Sequence, residues 1–416
     1  MRKYILILTI IISSILQAKT LTMQSCIDKA LLNHPDIRSF ELKVYKSKKS
    51  YKSARSNYLP QITAQANYNP TETFIFPNNG SFETIDDDAW GVGVSLKQMI
   101  WDFKKTSSKV NATKFDEGIS KLSLKEAQSL LVYKVQSLYI QMILQEEAIK
   151  VRKKDLEAKE AFYDQAKALV IQGLKTNADA SRFLSSVFDA KDQLAISFSL
   201  YNKAKTSLSL YMAEEIQDGV TLENNLIKQN YNIYENLENE ILKSNYQLQI
   251  EAQNIHKNML LQQSAKASHY GSIDGYASYN HLETLNSYDS TLVGIALTIP
   301  IYTGGRVSSE EQEAQISTQI AKEAQSSSTL ALKEELRGLI IDIKRFDNTI
   351  AAKQAQINAA NETKKVLEAR YKEGLTTYIE VLDAVSVVLN AELGLLQTYY
   401  SKSLSINRIK YLKGNI

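Results

Sequence analysis

A chain of 416 residues with 49 basic and 46 acidic side chains, and so a net charge of +3, has no charge surplus with which to hold nucleic acid or another highly charged partner. Its single cysteine, Cys26, excludes an intrachain disulfide framework. The only five prolines stand at 35, 60, 70, 77 and 300, so 78–299 and 301–416 are open to helices of unusual length.

The N-terminus reads as a secretory leader, residues 1–18: Arg2 and Lys3 supply the charge, Tyr4 to Leu16 the apolar core, and Leu16-Gln17-Ala18 a cleavage site. The apolar run is shorter than the roughly 20 residues that span a bilayer, so the chain is exported rather than anchored there. Cys26 lies several residues past that core, which disfavours lipid attachment. Residues 22–59 then read as helix.

From Pro60 to Pro70, apolar Ile62, Ala64, Ala66 and Tyr68 alternate with polar neighbours, and from Ala89 to Trp101 one face collects Trp90, Val92, Val94, Leu96 and Ile100. Period two predicts two strands, with Pro70, Pro77, Asn78-Asn79-Gly80 and Asp86-Asp87-Asp88 as turn chemistry between them. A helix follows over about 103–172. Gly173 supplies a left-handed end, and Thr176 with Asp179 fits a capping box that starts a return helix over 177–212. Residues 213–233, Asn-rich with Gly219, read as a connector.

The pattern then repeats. Residues 89–212 and 290–413 align at a constant offset of 201, with Trp101 on Tyr302, Gly173 on Gly374 and Asp179 on Glu380; a second block, in which Ala54 falls on Ala265 and Tyr68 on Tyr279, aligns at 211. The chain is therefore a tandem duplication, 19–212 and 234–416 around the connector. The second copy predicts a helix over 234–268 and a hairpin over about 270–302. There Ile273, Gly275, Ala277 and Tyr279 alternate, and Val293, Ile295, Leu297, Ile299 and Ile301 share a face. A long helix at 304–373, the tip at Gly374 and a return helix at 377–413 complete it. A 70-residue helix is roughly 105 Å long.

Strands of about 10 residues with one apolar and one hydrophilic face, ringed by Tyr68, Trp90, Trp101, Tyr279 and Tyr302, carry the signature of transmembrane β-strands. Four strands cannot close a barrel, and open edges are not tolerated in lipid, so copies must combine. Three would give twelve strands; two or four are the arithmetic alternatives.

The marks "LPQITAQANY" (59–68), "IPIYTGGR" (299–306) and "RYKEGLTTYIEVLDA" (370–384), in this order and duplicated, resemble the TolC-type outer-membrane efflux protein family across the whole mature chain. The resemblance implies an α+β membrane protein: a homotrimeric twelve-stranded transmembrane β-barrel in the outer membrane, four strands per chain, continued by a long periplasmic α-helical barrel. It implies a passive exit duct for efflux or type I secretion, partnered by a periplasmic adaptor and an inner-membrane pump, with outer-membrane lipid around it and no cofactor. In that frame Trp101 and Tyr302 are interfacial aromatics, and Gly304-Gly305 turn sheet into helix.

Glu380 and Asp383, at i and i+3, match an acidic ring narrowing the pore; grouped around an axis they would raise one another's pKa values. Arg182 stands at the matching place of the first copy. Tyr371 and Asp179 match a polar latch between hairpins. The basic residue that the family carries two after the second tip glycine is here Thr376, which puts a salt-bridge latch in doubt. Gly173-Leu174 and Gly374-Leu375 are the candidate adaptor-docking tips. No catalytic constellation or metal site emerges: His34, His256, His269 and His281 are scattered, and the last two read as polar residues flanking a strand. The rival reading is a secreted or surface coiled-coil adhesin; a periplasmic enzyme has no residues to support it.

Overall fold

The computed structural model describes residues 20–75, 80, 83–224, 231–283 and 287–414; the proposed leader, Pro77 and Asn78-Asn79 lie outside the described residues. The chain divides into two compact units. One combines the chain up to Ser39 with Lys125–Tyr246 and Leu330–Ile416, and the other combines Phe40–Leu124 with Gln247–Thr329.

Helix α1 (Met23–Asn33) starts where the Thr22 side chain accepts the Ser25 amide. Within 22–59, the stretch expected to be helical, a first helix stops here. His34 is extended (φ −68°, ψ 126°), as a residue preceding proline is driven to be, and Pro35 opens α2 (Pro35–Arg55) as its first residue. A 3₁₀ turn, Ser56–Tyr58, follows. The helix expected at 234–268 is likewise two: α5 (Leu237–Ser244) and α6 (Tyr246–Ala267). They are separated by extended Asn245, whose buried amide donates to Leu412 O at 3.0 Å.

The sheet belongs to the second unit. Strands β1 (Gln61–Ile75), β2 (Glu83–Trp101), β3 (Ser272–Glu283) and β4 (Tyr288–Thr298) pair antiparallel in the order β1-β2-β3-β4. The register sets Ile62 opposite Leu96, Ala64 opposite Val94, Val94 opposite Tyr279, Ala277 opposite Val293 and Gly275 opposite Ile295. Directly opposed residues share a face, so the apolar residues read from the sequence, Ile299 and Ile301 apart, form one continuous surface across all four strands. It is exposed: Val293 is 76% and Ile295 72% accessible. On the other face the Tyr276 ring lies over Gly294, where a Cβ would sit 2.6 Å from the hydroxyl.

Two details of the hairpins differ from expectation. Asp86-Asp87-Asp88, read as loop, are part of β2 and pair with Glu72, Thr71 and Pro70; the ladder overrides turn propensity, and Pro70 is tolerated because β1 is an edge strand. Strand β4 ends at Thr298, so Ile299 and Ile301 are not strand residues; Pro300 has no N–H with which to extend the ladder.

The expected long helices form: α3 (Lys105–Ile171) and α7 (Arg306–Lys372) have 67 residues each, a contour of about 100 Å, and return as α4 (Asn177–Met212) and α8 (Tyr378–Leu412). In the first unit the core is built on α3 by Tyr139, Ile140, Met142 and Ile143, all under 2% exposed. The Tyr139 hydroxyl donates to Leu21 O (2.7 Å) and accepts from Glu223 N (3.0 Å), pinning the connector to the chain start beside the Leu21–Leu222 bridge. Among the described residues, no helix is long and apolar enough to cross a membrane.

Candidate functional site

The two helix-hairpin tips, both in the first unit, are built alike. The Leu174 amide donates to Leu169 O and the Gly173 amide to Val170 O, at 2.9 and 3.0 Å; Leu375 and Gly374 repeat this with Arg370 O and Tyr371 O. These are Schellman ends, and they require the left-handed φ of +74° that both glycines have. Each return helix then opens with a complete capping box. Thr176 N donates to Asp179 (3.0 Å) and Asp179 N to Thr176 Oγ1; Thr377 N donates to Glu380 (2.9 Å) and Glu380 N to Thr377 Oγ1. Aspartate closes the first box as well as glutamate closes the second. The turns leave Leu174 and Leu375 exposed at 64% and 75%, together with Ile171, which the sequence did not single out.

Between the tips lies an apolar cluster. Phe162, Ala166 and Leu169 of α3, Phe183 of α4, Tyr371 of α7, and Val381 and Val385 of α8 are all buried. The Phe183 ring meets Tyr371 edge-on at 5.5 Å and stacks with Phe162 at 5.9 Å. Aromatic spacing along four helices thus converges at one point, a convergence that period alone does not reveal.

Tyr371 and Asp179 are neighbours here but not hydrogen-bond partners. The Asp179 carboxylate is engaged by Thr176, while the Tyr371 hydroxyl is buried with no partner among the described residues. Burial raises the Tyr371 pKa, and the Asp179 charge raises it further. The cation absent at Thr376 stands instead on the other hairpin, at the matching position. Lys175 Nζ donates to Thr376 O at 3.2 Å and lies 5.3 Å from the Tyr371 ring centre, within cation–π range. This tie was missed in the sequence, where its ends are 201 residues apart.

Glu380 and Asp383 are both exposed on α8, and Arg182, at the place matching Asp383, lies over the Tyr378 ring. Within one chain Glu380 is surrounded by donors. The Thr376 hydroxyl first, then the Thr377 amide and hydroxyl, hold its carboxyl below the usual range.

The strand-to-helix junctions belong to the second unit. Trp101 and Tyr302 are exposed, Tyr302 at 90%, and Gly304 and Gly305 have φ of +62° and +86°. The first copy makes the same left-handed pair from Phe103 (+54°) and Lys104 (+73°). Asp102 caps α3 by accepting the Thr106 amide at 2.7 Å, and Thr303 plays this part for α7 with Val307. His269 pairs with Glu311 (3.0 Å) and His281 with Asp289 (2.8 Å). No His, Cys, Asp and Glu grouping among the described residues could hold a metal ion.

The sequence pattern of the outer membrane efflux protein family matches residues 26–213 and 237–415. The outer membrane protein TolC of Escherichia coli strain K12 is 23% identical, the match covering 97% of this chain and 84% of that protein. The fold resembles a membrane protein from Pseudomonas aeruginosa (TM-score 0.83, 17% identity, 94% of this chain and 90% of that one). It also resembles the open state of the Neisseria gonorrhoeae MtrE outer membrane channel (TM-score 0.80, 20% identity, 94% and 88%).

Proposed function

Because this chain belongs to the outer membrane efflux protein family, and is therefore an outer-membrane efflux channel protein rather than an enzyme, we propose that it works as a homotrimeric exit duct. The duct serves a tripartite efflux or type I secretion assembly and is gated at its helix-hairpin tips. The observation that carries the reading is the sheet. Its apolar face is exposed over four strands, and the outer edges of β1 and β4 have no strand partner among the described residues. In lipid an open edge leaves backbone groups without partners, at a cost of several kcal/mol each, so edges of neighbouring copies must meet. Three copies give twelve strands, an even number within the range of bacterial barrels.

In the gate reading, Glu380 and Asp383 of each copy line the narrow entrance, where their charge selects cations. The lock between hairpins is the Phe183–Tyr371 cluster clasped by Lys175; Tyr371 serves it through its ring, beside Asp179. Exposed Leu174 and Leu375, next to Gly173 and Gly374, form the surface that a periplasmic adaptor grips, and an inner-membrane pump supplies the energy. Spreading the tips opens the duct.

Planar-bilayer recording of purified trimers tests this. Cation-selective conductance blocked by divalent ions is expected, and Glu380→Gln with Asp383→Asn should relieve the block; glutamine keeps the capping box, so the variant reports charge alone. Unchanged selectivity and block would remove the acidic gate. A protein monodisperse in plain buffer without detergent would favour the coiled-coil adhesin instead.

A further inference from the structure

The two copies differ sharply in one place that the channel reading leaves unused. Residues 40–59, most of α2 and the turn leading to β1, hold Lys43, Lys46, Lys48, Lys49, Lys52 and Arg55 against a single acid, Glu41. The matching stretch of the second copy, 251–270, holds only Lys257 and Lys266 against Glu251. It forms the corresponding helix, α6, without the extra cations. The fold therefore does not require them.

The last three cations converge on a built feature. Lys49, Lys52 and Arg55 line an open groove of about 620 Å³ together with Tyr51, Tyr58 and Leu59. All three are exposed, and none makes an ion pair among the described residues. Leu59 is 61% and Tyr58 39% exposed. The groove sits at the foot of the sheet: Gln98 of β2 donates to Tyr58 O at 2.9 Å, and β1 begins at Gln61, two residues after Leu59. Ile62, the first residue of the lipid-facing surface, is 68% exposed. Cations with an amphipathic tyrosine and an apolar side chain, at the height where a membrane strand leaves the bilayer, match a phospholipid in both its parts. Phosphate oxygens meet the ammonium and guanidinium groups, and the glycerol–acyl boundary meets Tyr58 and Leu59.

We propose that this groove binds the headgroup of an anionic phospholipid in the leaflet on the helix side of the sheet, fixing the barrel's height in the membrane. A zwitterionic lipid carries its own cation and gains less. The cations act on a surface open to solvent, so their attraction falls with salt.

The test uses the full-length protein reconstituted in nanodiscs containing phosphatidylglycerol and phosphatidylethanolamine, transferred to mild detergent, with retained lipids counted by native mass spectrometry. Each cation near an anionic surface is worth roughly fivefold in binding, so Lys49→Ser/Lys52→Ser/Arg55→Ser should lose phosphatidylglycerol at least tenfold. The charge-keeping Lys49→Arg/Lys52→Arg/Arg55→Lys, which controls for folding, should retain it. Raised salt should strip the lipid from the wild type, while inorganic phosphate at equal ionic strength should do no more than salt. Equal retention of both lipids, or no loss in the serine variant, overturns the proposal. So does loss of the trimer with lipid binding intact, which makes the occupant a neighbouring copy, or altered ion selectivity alone, which makes the groove face permeating ions. A protein that never enters nanodiscs fails the channel reading itself, whereas an inserted trimer indifferent to headgroup charge sinks only this inference.

Discussion

Replacing Tyr371 by phenylalanine separates two ways of holding the tip shut. The ring is fully buried, edge-on to Phe183 and beneath Lys175, whereas its hydroxyl is buried with no partner among the described residues and Asp179 is occupied by its own capping box. A buried hydroxyl without a hydrogen bond costs roughly 1–3 kcal/mol by mutational scales, and phenylalanine keeps the ring that fills the cluster. Tyr371→Phe should therefore stabilise the closed tip by about 1 kcal/mol per chain, a factor of about five in the closed-to-open ratio. Tyr371→Ala removes the ring and should cost about 3–5 kcal/mol, as large aromatic truncations do. Single-channel recording supplies the measurement: open probability at or below wild type for the phenylalanine variant, and well above it for alanine. If Tyr371→Phe opens the channel as far as alanine does, the hydroxyl has a polar partner in the assembled duct, and the lock is a hydrogen bond rather than a packed ring.

Lys175→Met should raise open probability by breaking the tie to Thr376 O, and Lys175→Arg should largely preserve it, read in the same recordings. Lys104→Gly should raise the melting temperature of the assembly, because a non-glycine residue in left-handed backbone costs about 1–2 kcal/mol and glycine costs it nothing; Gly305→Ala should lower it. The folded Glu380 carboxyl titrates below its unfolded value, so its contribution to tip stability is present above the unfolded pKa, near 4.5, and is lost as pH falls through the lowered folded pKa. Hydrogen exchange at the start of α8 should accelerate over that window in the wild type and be flat in Glu380→Gln. Burial pushes the Cys26 thiol up to about 11, so maleimide should label it only after unfolding.

The sheet and hairpins were legible because period-two alternation is a direct image of a strand with one face in lipid, and duplication displays each signal twice. The register confirms it residue by residue, from Ile62 opposite Leu96 to Gly275 opposite Ile295. What escaped was set by context. Asp86–Asp88 look like a turn because isolated aspartates favour one, but a strand already laid down opposite them supplies partners for their backbone. The helix break at His34 is written in the sequence as His34-Pro35, yet proline is equally content as a first helical residue, so the break shows only in the extended backbone before it. Phe103 and Lys104 gave no warning of left-handed backbone, since the usual signal is glycine and stands only in the other copy. Glu380 could be placed on its helix, but its charge state depends on the Thr376 and Thr377 donors that the fold gathers around it.

The duplication sorts these features further. Where the copies agree, the architecture demands agreement: two helices of 67 residues, two Schellman glycines at φ +74°, two capping boxes. A change of length in one helix alone would shift one tip by about 1.5 Å per residue and pull Lys175 away from Thr376 O. Where they differ, the backbone is kept and the side-chain chemistry changes. Asp383 faces Arg182 across the alignment and Lys175 faces Thr376, so one position carries opposite charges on the two hairpins and the other carries a charge on one hairpin only. Had both hairpins carried the lysine, two ammonium groups would compete for one ring and one carbonyl and repel each other; had both carried the aspartate, Tyr378 would lose the cation stacked on it. This asymmetry between hairpins of like backbone is what lets Lys175 of one reach the Thr376 carbonyl of the other.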